Sequence, residues 1–196
     1  MSLSPSNGGY PIDPGFRMPA EWESHAATLL AWPNNKEDWP GKFQPIPWVF
    51  AEIIRSIPPG ERVRLVVQSP AQEKRVRNML RRASVDSRGV EFLILPLDRG
   101  WMRDISPFFL AKDTNSQRET AAAIFGFNGW AKYDNWRLDA QFAPFLVERL
   151  GLPAFPVQVE DRPVVLEGGA VDTNGRGTLL VTEECLLDPE VQIRNP

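Results

Sequence analysis

Two acidic side chains, Asp104 and Glu167, stand where chemistry could be done. Asp104 lies in Trp101-Met102-Arg103-Asp104-Ile105-Ser106-Pro107, between two apolar runs, Val90 to Leu97 and Phe108 to Ala111, that read as strands. A plain strand connection calls for Gly, Asn or Pro, not for an indole and an Arg-Asp pair. Glu167 follows the apolar Val164-Val165-Leu166 and precedes Gly168 and Gly169, which have no side chains to block a close approach. Two carboxylates beside aromatic rings make a receptor for a planar cation, because a guanidinium presents a fork of donors that meets carboxylates two bonds at a time. Two carboxylates also suit glycoside hydrolysis, and sequence carries no distance that separates the cases. Each acid has a plainer reading too: an N-cap or a solvated loop residue, with Arg103 a solvated neighbour and Trp101 part of a core.

The other reactive types are sparse. Cys185, the one cysteine, sits in Thr182-Glu183-Glu184-Cys185-Leu186-Leu187. Acidic and apolar neighbours there suit a structural thiol better than a nucleophile. His25, the one histidine, follows Glu21-Trp22-Glu23-Ser24 and reads as a structural or acid-paired imidazole. A single histidine rules out a multi-histidine metal site within these residues. Gly175-Arg176-Gly177 falls in a hairpin rather than before a helix, so it is no phosphate loop.

The elements that must position these residues alternate throughout. Thr28 to Trp32 reads as a buried strand closed by Pro33-Asn34-Asn35, and Lys36 to Pro47 as irregular. Trp48 to Ile57 has the apolar spacing of a helix, with Val49, Phe50, Ile53, Ile54 and Ile57 inward and Pro58-Pro59-Gly60 as its stop. Val63 to Val67 is a strand. Ser69 caps a helix with Pro70 at its first position. That helix sets Val76, Met79 and Leu80 against Lys74, Arg75, Arg77, Arg81 and Arg82, a basic run best read as a solvated face. After the Asp104 stretch come a polar turn at Asp113 to Arg118, a strand at Thr120 to Phe125 and an aromatic loop at Phe127 to Tyr133. Trp136 to Leu150 reads as a helix with Leu138, Phe142, Phe145, Leu146 and Leu150 inward and Gly151 as its cap. Strands follow at Ala154 to Val159 and Val164 to Leu166, then a hairpin, Ala170 to Asp172 with Thr178 to Thr182, around Asn174-Gly175. No closing element is expected at Arg194 to Pro196. The class is α/β (α+β), with more strands than a simple doubly wound sheet and a recurring block of two strands, a helix and a strand.

Composition agrees with a soluble globular chain: 196 residues, 42% hydrophobic, 24% charged, net charge -3. That charge gives no broad attraction to nucleic acid or to an anionic membrane. No run approaches the roughly 18 apolar residues of a membrane span. Residues 1–15 read as a flexible polar arm without a secretory pattern. One cysteine and no signal favour a cytoplasmic location. Trp22, Trp32, Trp39, Trp101, Trp130 and Trp136 stand beside polar residues, as in a pocket rim or as plugs in Pro-rich connections.

Six segments together carry a family likeness. They are Met18 to His25, Leu30-Ala31-Trp32-Pro33, Trp101 to Pro107, Phe127 to Tyr133, Leu166-Glu167-Gly168-Gly169 and Thr182 to Leu187. In this order they resemble the agmatine deiminase family and its bacterial peptidyl-arginine deiminase relatives, from about residue 16 onward. The resemblance implies that residues 16–196 are the N-terminal part of a single pentein domain, truncated at its C-terminus. Such a domain arranges ββαβ-type units around a pseudo-fivefold axis with the site in a central channel. It also implies hydrolysis of a guanidino group with no metal or cofactor, agmatine and water giving N-carbamoylputrescine and ammonia on the way to putrescine, or a related protein-arginine deimination. By that resemblance Asp104 and Glu167 are catalytic, holding the guanidinium, while Trp101, Arg103, Gly168, Gly169, Trp130 and Trp32 line the substrate. The chain departs from the family at Ser106 and Ala131, where Gly is usual. The family's Gly-His-x-Asp motif and nucleophilic cysteine are not found here; no Gly-His pair occurs. The expectation is a fragment inactive alone, acting on a guanidino substrate, with a homo-oligomer possible. The alternative is a non-catalytic module that binds a guanidino or amine ligand.

Overall fold

The computed structural model describes residues 15–57, 60–115, 117–187 and 189. The chain divides into two compact units. Ser24–Met102 forms one, and the segments before and after it form the other.

The Ser24–Met102 unit is a parallel sheet with two helical crossovers. Strands β1 (Ala27–Ala31), β2 (Arg62–Val67) and β3 (Val90–Ile94) lie in the order β1-β2-β3. Both pairings are parallel, with Leu30 opposite Leu65 and Leu65 opposite Phe92. Parallel neighbours require long returns, which α1 (Ile46–Ser56) and α2 (Pro70–Arg82) supply. The Ser69 side chain accepts the Gln72 amide at 3.3 Å, and Pro70 sits in the first turn, as its spacing predicts. Leu65, Val67, Val76 and Leu80 anchor the core with Ala51 and Ile54. On α1 the expected inner face is narrower than the spacing suggested: Val49 is 49% and Ile53 40% exposed.

In the other unit, β4 (Phe108–Asp113) pairs antiparallel with β5 (Arg118–Ile124), and β5 pairs parallel with β6 (Ala154–Pro156). The return from β5 to β6 contains α4 (Phe142–Leu150). This is the expected strand-strand-helix-strand block. In Ser24–Met102 the same order is interrupted by α1, which makes its first two strands parallel. Phe108, Leu110, Ala121, Ala123, Phe155 and Val171 form one core face. Phe108 and Phe125 stack edge-on at 4.9 Å. Arg17 makes an isolated antiparallel bridge with Ala111 of β4.

Several expectations need correction. The helix foreseen from Trp136 starts only at Phe142, after a 3-10 turn at Asp139–Gln141. Pro144 explains this, since it has no N–H to give and fits only the first turn. Leu138 is consequently 39% exposed, while Ala143 and Val147 join Phe142 and Leu146 inside. The strand foreseen over Ala154 to Val159 breaks after Pro156. β7 (Gln158–Val159) and β8 (Arg162–Pro163) make a separate hairpin. Its two central residues, Glu160 and Asp161, are left-handed at φ 49 and 64. Such a turn normally advertises itself with Asn-Gly, so these residues hid it. Val164 to Leu166 is no strand; Val165 makes an isolated bridge with Gly126. The foreseen hairpin exists as β9 (Val171–Thr173) and β10 (Leu179–Val181). Two one-turn helices were not foreseen, α3 (Met102–Ile105) and α5 (Glu183–Leu186). Pro58, Pro59, the terminal arm up to residue 14 and Arg194 to Pro196 lie outside the described residues.

Candidate functional site

The stretch around Asp104 folds as one helical turn, with Ile105 buried at 3% as its anchor and β4 starting directly beyond Pro107. Successive residues of this turn engage the Glu167-Gly168-Gly169 segment. Arg103 Nε donates to the Gly168 carbonyl at 2.8 Å, and Nη2 donates to the Val171 carbonyl at 3.1 Å. Asp104 Oδ1 accepts the Gly169 amide at 2.9 Å. Glu167 is 1% exposed. The two carboxylates expected to act together are therefore carried on segments joined directly by side-chain-to-backbone hydrogen bonds.

The glycines make that junction possible. A Cβ at Gly168 would overlap the Arg103 carbonyl oxygen, and one at Gly169 would come within 2.5 Å of Asp104 Oδ1. The open backbone inferred from two glycines is thus filled by the protein's own Arg103 and Asp104. Gly168–Ala170 forms a 3-10 turn, closed by the Ala170 amide donating to the Glu167 carbonyl at 3.0 Å.

A second loop, between the Asp104 turn and Glu167 in sequence, also reaches Glu167. Gly129, Trp130 and Ala131 are all left-handed, at φ 62, 61 and 52. Asn128 Oδ1 steadies the loop by accepting the Ala131 amide at 3.1 Å. This conformation costs a non-glycine residue on the order of 1–3 kcal/mol and persists only where surroundings over-determine it. Here it aims the Trp130 amide at Glu167 Oε1, 3.2 Å away. A buried carboxylate needs such donors, because burial otherwise penalises its charge.

Arg103, Asp104, Trp130, Glu167, Gly168 and Gly169 thus belong to one unit. Trp101 and Trp32 belong to the other. The Trp101 ring lies 5.3 Å from the Arg99 guanidinium, which is held by Asp38 at 2.7 Å and Glu37 at 3.1 Å. Trp32 is 7% exposed and packs in the Ser24–Met102 core, edge-on to Phe50 at 6.3 Å. That is the core role, rather than a rim. His25 stands 3.7 Å from Glu61. Cys185 is half-buried on α5, its amide donating to the Thr182 carbonyl at 3.1 Å.

Sequence reasoning missed Glu21, Glu23 and Asn128. Arg103 Nη1 pairs with Glu21. Glu23 accepts from Arg17 at 2.6 and 2.9 Å and from the Ala20 amide at 3.0 Å, and it lies 3.2 Å from Arg118. The Arg17 guanidinium holds the Glu23 carboxyl at about 2, well below its ordinary 4.5. Asp113 joins this network and is lowered likewise, by Arg118 first and Arg17 second. Periodicity cannot reveal the Arg103–Glu21 and Arg17–Asp113 pairs, since their partners are remote in sequence. The Asn128-Gly129 dipeptide was a turn signal for the strained loop. Among the described residues no group of three or more His, Cys, Asp or Glu side chains could hold a metal ion. No helix among them is long and apolar enough to cross a membrane.

Residues 17–196 match the model of the Porphyromonas-type peptidyl-arginine deiminase family. The chain is 36% identical over 191 residues to a relative from Vibrio parahaemolyticus, covering 95% of this chain and 48% of that one. It is 32% identical over 187 residues to the agmatine deiminase of Pseudomonas aeruginosa (strain LESB58), covering 93% and 46%. The solved agmatine deiminase of Enterococcus faecalis superposes with a TM-score of 0.79 at 26% identity, over 97% of this chain and 49% of the other. An agmatine deiminase of C. jejuni solved with substrate bound gives 0.71 at 23% identity, over 91% and 48%. The chain spans about half the length of the relatives it matches. Its fold is that of a partial pentein.

Proposed function

The chain belongs to the Porphyromonas-type peptidyl-arginine deiminase family, and we propose that it carries the guanidinium-holding part of a guanidine-modifying hydrolase. One observation carries this reading: the Gly169 amide donates to Asp104 at 2.9 Å, joining the segments that bear Asp104 and the buried Glu167. Both units together are read as the first part of one pentein domain. The substrate is agmatine, or arginine in a related protein-directed reaction, and the product of agmatine hydrolysis is N-carbamoylputrescine with ammonia, a step toward putrescine in the cytoplasm. Asp104 and Glu167 orient the cation and stabilise charge on its nitrogens while a nucleophile adds to the central carbon. Trp130 contributes its amide to Glu167, and Gly168 and Gly169 give Arg103 and Asp104 room.

The 196 residues are not expected to turn over substrate alone. Cys185 lies on a one-turn helix and His25 stands beside Glu61 in the other unit. Titration calorimetry on the purified chain should show agmatine binding that weakens at least about tenfold in Asp104→Asn and in Glu167→Gln, the scale of one charge-assisted bond. A folded chain that ignores agmatine would defeat the reading. Steady ammonia release lost in Cys185→Ala would overturn the expected inactivity.

A further inference from the structure

Arg103 was expected to touch substrate, yet the structure places its guanidinium on the protein's own backbone. This inference rests on the guanidinium-holding role proposed for Asp104 and Glu167. Nε and Nη2 take the carbonyls of Gly168 and Val171, three residues apart, at 2.8 and 3.1 Å. A planar, rigid fork reaches the two carbonyls and the carboxylate from three separate nitrogens, whereas an ammonium offers all its donors from one. The next residue, Asp104, takes the intervening Gly169 amide at 2.9 Å. Arg103 and Asp104 therefore bracket the turn that follows Glu167. The missing Cβ atoms at positions 168 and 169 are what let them in.

The third partner, Glu21, comes from the Met18 to His25 segment, which the proposed chemistry leaves without a task. That segment is anchored independently of Arg103. Glu23 is gripped by Arg17 and by the Ala20 amide. Ala20 is 4% exposed, and a Cβ on Gly175 would come within 2.7 Å of its nitrogen. Glu21 is thus presented from a fixed strap. It also balances a positive charge one residue from Asp104, where an unbalanced cation would oppose a cationic ligand.

We propose that Arg103 is a positioning residue for the carboxylate pair: it clamps the Gly168 and Val171 carbonyls so that the Glu167 turn keeps its register with Asp104, and Glu21 holds the clamp in place. The test uses the 196-residue chain, agmatine calorimetry and NMR hydrogen exchange at the Gly169 amide. Arg103→Met should weaken agmatine binding by about tenfold and speed Gly169 exchange by a similar factor, as loss of charge-assisted bonds predicts. Exchange in β1, β2 and β3 should not change. Because Arg103 acts through Asp104, the Arg103→Met/Asp104→Asn double variant should bind no more weakly than Asp104→Asn alone. Arg103→Lys should fail to restore the Gly169 exchange rate. Glu21→Gln should cost a smaller factor, on the order of two- to threefold, shrinking with added salt.

Additive losses in the double variant, full rescue by Lys, or unchanged Gly169 exchange would each overturn the clamp. Should Arg103→Met not fold, the Lys and Glu21 variants decide the matter by the same readouts. Should the unaltered chain not bind agmatine, the guanidinium reading falls, while Gly169 exchange still judges the clamp.

Discussion

The two units bury different things. Ser24–Met102 closes over large aliphatic side chains, with Leu65, Val67 and Leu80 fully inside. It also holds directional bonds, with Arg99 paired to Asp38 at 2.7 Å and the Asn34 side-chain amide donating to the Leu97 carbonyl at 2.9 Å. The other unit has an apolar face as well, around Phe108 and Phe155, but it also buries Glu167 at 1% and Asp139 at 0%. It holds three consecutive left-handed residues, two glycines with no room for a Cβ, and an arginine bonded to two carbonyls. Apolar burial is non-directional and tolerates shape change. Buried polar geometry is directional and fails when one partner is lost. The unit built the second way is the one that carries the candidate chemistry, because aiming a charge requires directional bonds.

Three substitutions probe that contrast. The largest effect is expected from Leu80→Ala, at about 2–5 kcal/mol, the usual cost of a buried Leu truncation with its cavity. Urea unfolding followed by hydrogen exchange should show the loss concentrated in Ser24–Met102. Equal loss of protection at Gly169 would show that the units are not separately stabilised. Next comes Gly168→Ala, whose Cβ meets the Arg103 carbonyl oxygen rather than a movable side-chain tip. Overpacking of this kind costs about 1–3 kcal/mol. Agmatine affinity should fall with it; a variant of unchanged stability would mean that the turn relaxes freely and the junction is looser than the geometry implies. The smallest effect has the opposite sign. Ala131 sits at φ 52, where an L side chain costs roughly 1–2 kcal/mol, while glycine carries an entropy cost of about 0.5–1 kcal/mol elsewhere. Ala131→Gly should therefore stabilise the chain by about 0.5–1 kcal/mol in a thermal melt, and no gain would show that Ala131 bears no strain.

Legibility in the sequence followed the same division. In Ser24–Met102 β1, β2, the Ser69 cap, Pro70 and the inward Val76 and Leu80 could be read within a residue or two, because each signal is periodic or local, while β3 ends at Ile94, short of the Leu97 expected. In the other unit β4, β5, the Gly151 cap and the β9–β10 hairpin were equally legible. What failed there was conformation chosen by neighbours: the late start of α4, the Glu160-Asp161 turn, the single turns α3 and α5, and the demotion of Val164 to Leu166. Asp104 and Glu167 stood out by residue type, and the motifs that carry the family likeness lay in plain view.

The purpose of their neighbours did not. Sequence by itself determined the mixed strand and helix order, the family, and which two acids are the candidates, since these depend on local periodicity and residue identity. Only tertiary structure decided that the two glycines admit Arg103 and Asp104, that Trp32 is core, and that Glu21 meets Arg103. The contacts of Arg103 and Asp104 join residues 65 to 82 positions apart, Trp32 is enclosed by the Ser24–Met102 core, and no local pattern encodes which distant group will arrive.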